Sequence, residues 1–109
     1  LDRSATMRDA LVLLAAQRGI AMVVEQERVC GVVTAGDLTR LLQRQQDVLS
    51  IPVSTVMTTA PRLAQDHELG SAVVHRMETF GIMAMPVVGA DERLVGVVHL
   101  HDLMRAGAV

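Results

Sequence analysis

The chain has 109 residues; half of them are apolar, one is aromatic, and the formal net charge is −2 with acidic and basic residues interspersed. This length suits a single domain-sized core, while the lack of aromatic side chains and of clustered Lys and Arg argues against nucleic-acid binding. The apolar runs are too short to cross a bilayer, and no signal segment opens the chain, so no membrane association is expected.

Three further features of composition bear on context. The only cysteine, Cys30, cannot build an internal disulfide framework, which fits a reducing cytoplasm. The apolar share exceeds that of an average domain and indicates strands buried on both faces or an oligomer interface. The chain begins with Leu1 rather than Met, so we expect a fragment of a longer, cytoplasmic protein.

The first half begins with a lead-in over residues 1–5 that we interpret as a short strand. A helix then begins at Thr6, which forms a capping box with Asp9, and ends at Gly19. Its apolar stripe consists of Met7, Ala10, Leu11, Leu14 and Ala15.

Two short apolar segments follow, over residues 20–24 and 29–34, and the polar turn between them predicts a β-hairpin. A second helix is predicted over residues 37–43, with Leu38, Leu41 and Leu42 on its apolar side.

A polar, glutamine-rich linker over residues 43–50 leads to Pro52, which no helix can run through. A brief helical turn is predicted at residues 54–57. The next helix opens at Asp66 or His67 and ends at Gly81; its apolar stripe consists of Leu69, Ala72, Val73, Met77 and Phe80.

The last elements are strands at residues 82–88 and 94–98 and a helix at residues 102–106. Pro86 interrupts the first of these strands and predicts an edge or strand-start position.

The same order of elements therefore occurs twice. Each half predicts a short lead-in strand, a helix, two strands and a second helix, which is an α/β (α+β) unit. We place the repeats at residues 1–50 and 51–109. Because one half alone would bury too little apolar surface, we expect the two to pack about a pseudo-twofold axis.

The clearest internal match is between GVVTAGDLTR at residues 31–40 and GVVHLHDLMR at residues 96–105. Each copy predicts a strand, a tight turn and a helix N-terminus. Free backbone N–H groups at a helix start suit phosphate, and a carboxylate accepts hydrogen bonds from sugar hydroxyls. The repeat therefore predicts two related small-ligand sites.

These residues resemble a tandem pair of cystathionine-β-synthase-type (CBS) domains, a Bateman module. The family marker is Gly, a hydrophobic residue, any residue, Thr or Ser, two residues, then Asp. Gly31, Val32, Thr34 and Asp37 match it fully, whereas His99 stands in place of the Thr in the second copy. The segments VMT at residues 56–58 and MPVV at residues 85–88 resemble further parts of a CBS repeat.

A narrower resemblance covers the tail GVVHLHDLMRAG at residues 96–107, which is similar to the C-terminus of bacterial D-arabinose 5-phosphate isomerases. In that family a CBS pair follows a catalytic sugar-isomerase (SIS) domain. The resemblance therefore implies that this fragment is not catalytic and that an SIS domain precedes it in the parent chain.

The resemblance implies that Asp37 and Asp102 accept hydrogen bonds from a nucleotide ribose; the alternative is a carboxylate that only complements a helix dipole. The resemblance also implies that Thr34 and His99 contact the phosphate of the nucleotide. The alternatives are that Thr34 only caps the helix and that His99 only fills the space of the site. Arg40, like Arg105 in the second copy, would pair with the Asp three residues earlier, approach a phosphate, or remain solvated.

The predicted ligand-binding set also includes residues beside the two turns and residues that the resemblance places near the nucleotide base. The methionines among them would serve equally well as filler of the hydrophobic core. These further members of the set are Val33, Ala35, Val98, His101, Met22, Thr58, Met83 and Met85. No metal site is expected, because the four histidines and Cys30 show no ligand spacing.

We therefore expect a regulatory module that senses AMP, ATP, CMP or CMP-Kdo in the cleft between the repeats, requires no cofactor, and forms a homodimer through the CBS helices. CMP-Kdo follows from the isomerase resemblance, which points to lipopolysaccharide biosynthesis. The alternatives are a structural dimerisation module with vestigial sites and a stand-alone CBS sensor.

Overall fold

The computed structural model describes residues 1–107. Their contacts form two compact units, Leu1–Pro61 and a second that begins at Arg62. Each unit contains a three-stranded sheet and two α-helices, which confirms the predicted α/β class and the repetition. The repeat boundary after residue 50 stays a prediction, although residues 51–61 belong to the first unit by their contacts.

Apart from the predicted lead-in strand, the first unit contains its helices and strands in the predicted order, plus one further strand. They are α1 (Met7–Ala16), β1 (Ile20–Glu25), β2 (Arg28–Thr34), α2 (Ala35–Arg44), a 3-10 turn (Val53–Thr55) and β3 (Thr58–Thr59). The sheet order is β1-β2-β3, with both pairs antiparallel. Sequence analysis missed β3, because two threonines show no strand periodicity.

Local sequence explains the ends of α1. The Asp9 carboxylate accepts a 3.1 Å hydrogen bond from the Thr6 backbone N–H, as the capping box predicts. At the other end, the Gly19 N–H donates to the Leu14 carbonyl at 2.7 Å, and φ is 60° at Arg18 and 97° at Gly19. This is the 6→1 closure of a helix C-terminus.

The β1–β2 hairpin turns at Gln26 and Glu27, whose φ angles of 52° and 68° are both left-handed. Such a two-residue turn matches the twist of the flanking strands. It pairs Ile20 with Thr34 across the hairpin, after a bulge between Val23 and Val24. The register thereby places the end of β2 beside the start of β1.

The core of the first unit lies between its sheet and its helices. Its buried members are Met7, Ala10, Leu14, Ala21, Val23, Val33, Val53 and Met57. The predicted lead-in strand at residues 1–5 is wrong, since these residues form no strand. Leu1 alone aligns with β1: its amino group donates to the Met22 carbonyl, and its own carbonyl accepts from the Val24 N–H.

The second unit has the same helix, two-strand hairpin and helix, but its short third strand precedes them and pairs with the first hairpin strand. Its elements are β4 (Ala64–Gln65), α3 (Gly70–Phe80), β5 (Ala84–Val88), a 3-10 turn (Ala90–Glu92), β6 (Leu94–His99) and α4 (Leu100–Arg105). The order is β4-β5-β6, with β4 parallel and β6 antiparallel to β5. No helix within residues 1–107 is long and apolar enough to cross a membrane.

Pro86 corrects one expectation. It lies in the central strand β5, not at an edge or a strand start. The strand tolerates it because β4 pairs only with Val87 and Val88, so Pro86 has a paired neighbour only in β6.

Three helix starts also differ from expectation. The helix α3 begins at Gly70 rather than at Asp66 or His67, because residues 66–69 form the turn that follows β4. The helices α2 and α4 begin two residues earlier than predicted, because the preceding strand residue is the N-cap. Asp37 therefore lies within the first turn of α2, as Asp102 does in α4.

Several apolar residues expected on the core face of a helix are exposed instead. Leu69 precedes α3 and is 75% exposed; Phe80 is its last residue and is 47% exposed. The guanidinium of Arg62 lies 3.3 Å from the centroid of the Phe80 ring. Leu11 and Leu42 are also exposed, because the cores contact a narrower face of each helix than the stripes suggest.

Candidate functional site

The end of β2 and the start of α2 form a compact polar turn. Thr34 has an extended backbone and is the N-cap of α2. Its N–H donates to Asp37 Oδ2 at 2.8 Å, and its hydroxyl accepts from the Asp37 N–H at 3.2 Å. This reciprocal pair is a capping box with Asp in the Glu position, which fixes both side chains.

The second carboxylate oxygen of Asp37 is also engaged. Arg40 Nη2 donates to Asp37 Oδ1 at 2.6 Å, so of the alternatives left open by the sequence the structure shows the i,i+3 pairing. The Asp37 side chain is only 13% exposed. Each carboxylate oxygen accepts more than one hydrogen bond, so Asp37 remains an oriented acceptor suited to a pair of hydroxyl donors.

The corresponding turn of the second unit is looser. Arg105 Nη2 donates to Asp102 Oδ1 at 2.5 Å, as in the first copy. His99 takes the N-cap position but makes no side-chain cap hydrogen bond, and the Asp102 side chain is 43% exposed. Replacement of Thr by His at the cap therefore leaves this carboxylate less enclosed than Asp37.

Backbone hydrogen bonds attach each turn to the start of the neighbouring strand. The Ala35 N–H donates to the Gly19 carbonyl at 3.0 Å, and the Leu100 N–H donates to the Met83 carbonyl at 2.9 Å. His99 pairs with Ala84 across the sheet. The structure thus brings the predicted base-contact region of each unit beside its own polar turn.

The remaining predicted residues differ in accessibility. Met22, Val33 and Met85 are buried, and the last two belong to the core clusters of their units. The side chains of Val33 and Met85 therefore pack in the cores of their units, and the place of all three residues in the ligand-binding set stays a prediction. Exposed positions are Ala35, Thr58, Met83 and His101; Val98 is half-buried. Thr58 pairs with Val32, one residue before Val33.

Within residues 1–107 no group of three His, Cys, Asp or Glu side chains is arranged to hold a metal.

A groove of about 330 Å³ in the first unit adds residues that sequence analysis missed. It is lined by Asp37, Arg40, Leu41, Arg44, Gln45, Ile51, Thr55 and Val56. The spacing of Asp37, Arg40, Leu41 and Arg44 is that of one helix face, a signal that the sequence already contained. Ile51, Thr55 and Val56 line the groove only because the linker over residues 43–50 brings them back beside α2.

The family model for the CBS domain matches residues 1–44 and 53–109. The chain belongs to the CBS domain family. The two matches correspond to the two repeated halves. The polar turn of the first half carries the complete family marker, whereas the turn of the second half has His99 in place of its Thr.

Curated relatives include the arabinose 5-phosphate isomerase KdsD of Pseudomonas aeruginosa, at 36% identity over 96 residues, covering 85% of this chain and 29% of the isomerase. KdsD of Escherichia coli K12 is 32% identical over 112 residues, covering 100% of this chain and 34% of the isomerase. The chain therefore spans about a third of the length of these relatives.

Among solved structures, a CBS domain protein from Pyrobaculum aerophilum complexed with AMP superimposes with a TM-score of 0.84 at 25% identity. The match covers 94% of this chain and 79% of that protein. This likeness agrees with the fold described above.

Proposed function

We propose that this chain is the regulatory CBS pair of a D-arabinose 5-phosphate isomerase and that it senses a nucleotide or nucleotide-sugar. The catalytic SIS domain would lie in the same parent chain, outside these residues. The KdsD relatives support the link to the isomerase, and the AMP complex of the Pyrobaculum protein supports a nucleotide ligand.

The observation that carries the binding proposal is the Asp37 carboxylate, which two partners orient at the start of α2. A vicinal diol offers two donors to such a carboxylate, and hydrogen bonds to a charged acceptor are the stronger ones. The N-terminal end of α2 favours a nearby phosphate. Val33, Ala35 and Met22 would complete the surroundings of this ligand in the first repeat.

In the second repeat, Asp102 would bind a ribose in the same way, and His99 with His101 would replace the hydroxyl of Thr34 near the anion. Val98, Met83, Met85 and Thr58 complete the proposed set. The unequal enclosure of Asp37 and Asp102 supports two sites of unequal affinity.

Calorimetric titration with AMP, ATP, CMP and CMP-Kdo tests this proposal. We expect Asp37→Ala to weaken the preferred nucleotide by roughly 1.5–3 kcal/mol, the value of hydrogen bonds to a charged group. The chain offers a matched control in Asp9→Ala, which removes the equivalent carboxylate from the capping box of α1.

Both variants lose one helix cap, at a cost of about 1 kcal/mol in stability, but only Asp37→Ala removes the proposed ribose acceptor. Equal affinity of the parent and Asp37→Ala, with both folded, would exclude Asp37 from the site. Equal weakening in Asp9→Ala would assign the effect to stability rather than to binding.

The second candidate is a structural dimerisation module with vestigial sites. Exposed apolar side chains on α1, Leu11 and Val12, favour it, because a contact with a second copy would cover them. A folded chain that sediments as a dimer and binds none of the four nucleotides would support this candidate over the sensor.

A further inference from the structure

Within residues 1–107 the outer edge of β6 is open. On one side β6 pairs with β5, and on the other side it pairs with no strand of this part of the chain. The same strand of the first unit, β2, pairs with both β1 and β3. Edge strands usually carry charged residues or proline that prevent further pairing, but β6 contains no Asp, Glu, Lys, Arg or Pro. Its edge is therefore suited to accept another strand.

Met57 fills a space in the first unit that is open in the second. It is buried in the first core and lies so close to Gly31 that an added Cβ atom there would meet its Sδ atom. At Gly96, the same position in β6, no atom of residues 1–107 other than its chain neighbours lies within 4 Å of such a Cβ. Val33 is accordingly buried, whereas the equivalent Val98 is only half-buried. Space for an apolar side chain thus remains over Gly96.

The strand that covers β2 comes from just before the first strand of the next repeat. Its two residues are Thr58 and Thr59, and Thr59 lies opposite Gly31. Five residues after Thr59, Ala64 begins β4 in the second unit. The spacing between β3 and β4 therefore indicates how far before a repeat the covering strand lies.

Leu1 occupies the place of Ala64 in the first repeat. Its amino group donates to the Met22 carbonyl, and its carbonyl accepts from the Val24 N–H. This is a parallel pairing with β1, as Ala64 pairs in parallel with β5. The counterpart of β3 would then lie about five residues before Leu1 in a longer chain, by the same spacing.

We propose that β6 accepts an antiparallel strand from the segment directly upstream of Leu1 in the parent chain, with a large apolar side chain over Gly96. The inference rests on the proposed function, which places a further domain before Leu1; the chain spans about a third of the length of its curated relatives. The strand has the chemistry of residues 57–59, a flexible apolar residue followed by two β-branched residues.

Two kinds of interaction hold this strand. Backbone hydrogen bonds to the open edge supply affinity, and the apolar side chain over Gly96 supplies specificity. The connection from the upstream domain is thereby attached to the second repeat.

A chain extended by VMTTAPRL before Leu1 tests the proposal. These are residues 56–63, which directly precede Ala64, so the addition reproduces the spacing of β3 and β4. We expect amide hydrogen exchange at the outward-facing positions of β6 to slow by at least about tenfold, because their N–H groups become hydrogen-bonded. Exchange in β2, which β3 already covers, should not change.

Two matched variants of the extended chain test the contact over Gly96. An extension that carries Asp in place of its Met has the same length but puts a charge into the apolar space. Gly96→Val fills that space from the side of β6. Both should restore the fast exchange of β6. Without the extension, Gly96→Val should melt at the temperature of the parent, because the added side chain meets no atom of residues 1–107 beyond its chain neighbours at its Cβ.

The outcomes separate this inference from the proposed function. An extended, folded chain in which β6 exchanges as fast as without the extension overturns the added strand. Slow exchange that persists in both variants overturns the contact over Gly96. Slow exchange that appears only when the extended chain sediments as a dimer assigns the strand to a second copy and overturns its assignment to the same chain.

Titration of the extended chain with AMP and CMP-Kdo tests nucleotide sensing independently. Slow exchange in β6 without binding of either ligand supports the added strand and overturns sensing. Binding without slow exchange overturns the added strand alone.

Discussion

At the scale of single residues, Gly31 shows why equivalent positions of the two repeats are not interchangeable. A Cβ atom added at Gly31 would lie 2.5 Å from Met57 Sδ, 2.8 Å from its Cγ and 3.1 Å from its Cβ. Because Met57 precedes β3 and is buried against β2, it has little room to move. At Gly96, the same position of the second repeat, no atom of residues 1–107 other than its chain neighbours lies within 4 Å of the added Cβ.

We therefore expect Gly31→Ala to destabilise the protein by about 1–3 kcal/mol through overpacking. Gly96→Ala should leave stability unchanged or raise it by up to about 1 kcal/mol, since alanine restricts the unfolded chain. Urea denaturation of both variants measures the difference. Equal free energies of unfolding would contradict the contact with Met57.

The double variant Gly31→Ala/Met57→Ala identifies the cause. Truncation of Met57 removes Sδ and Cγ, so the cost of Gly31→Ala should be smaller in this background than in the parent. A cost that is the same in both backgrounds would assign the effect to the backbone instead.

At the scale of elements, one ion pair attaches α3 to β4. Arg76 in α3 donates to both carboxylate oxygens of Glu68 at 2.7 and 2.8 Å and to the Leu63 carbonyl at 3.0 Å. Glu68 also accepts from the Gln65 N–H at 2.7 Å. The hydrogen bonds from Arg76, and then that from Gln65, lower the pKa of Glu68 from 4.5 to about 2.

This shift predicts a defined pH dependence. Since the pKa of Glu68 is lower in the folded state, its contribution is fully present above about pH 4.5 and is lost as the pH falls toward 2. We expect Glu68→Gln to lower the free energy of unfolding by about 1–2 kcal/mol at pH 7, a value reduced by partial exposure of the pair. The difference from the parent should shrink below pH 4.5.

Denaturant unfolding of the parent and the variant between pH 7 and pH 3 measures this effect. Glu78→Gln removes a carboxylate from the exposed side of the same helix and serves as the control for net charge. A difference between the parent and Glu68→Gln that stays constant over this range would show that the ion pair does not set the stability of β4 and α3.

At the scale of the whole molecule, the two units each contain their own hydrophobic cluster, and the polar turns occur once in each. A ligand that binds one arrangement of a protein more tightly than another shifts the population toward it. If this module regulates an attached isomerase domain, ligand binding and catalysis must therefore be coupled.

We expect a full-length parent that carries the SIS domain to change its isomerisation rate when CMP-Kdo or the preferred nucleotide is added. A typical coupling of about 1–3 kcal/mol corresponds to a change of roughly 5–150-fold in affinity between the two states. By reciprocity, the sugar phosphate should change the affinity for the nucleotide by the same factor.

The measurement is an isomerase assay with and without each ligand, together with a titration in the presence of the sugar phosphate. Asp37→Ala in the full-length chain should abolish both effects while retaining the basal rate. A ligand that binds but changes neither the rate nor the reciprocal affinity would contradict the regulatory role and leave binding intact.

Sequence alone determined the features that depend on neighbouring residues. Two apolar segments around a polar turn predicted the hairpin, Thr6 predicted the start of α1 through its capping partner Asp9, and Gly19 and Gly81 predicted helix ends. The i,i+3 spacing also allowed for the pairing of Asp37 with Arg40. These interactions span three to five residues, so local sequence contains both partners.

Only the tertiary structure decided the features whose partners are distant in sequence. The strand β3 and the crowding of Gly31 by Met57 depend on how the linker returns to β2. The placement of Pro86 in a central strand depends on how short β4 is, and the groove beside Arg44 depends on residues 51–56. Sequence periodicity reports which face of a helix is apolar, but it does not report how much of that face a neighbouring sheet covers; tertiary packing therefore decided the exposure of Leu69 and Phe80.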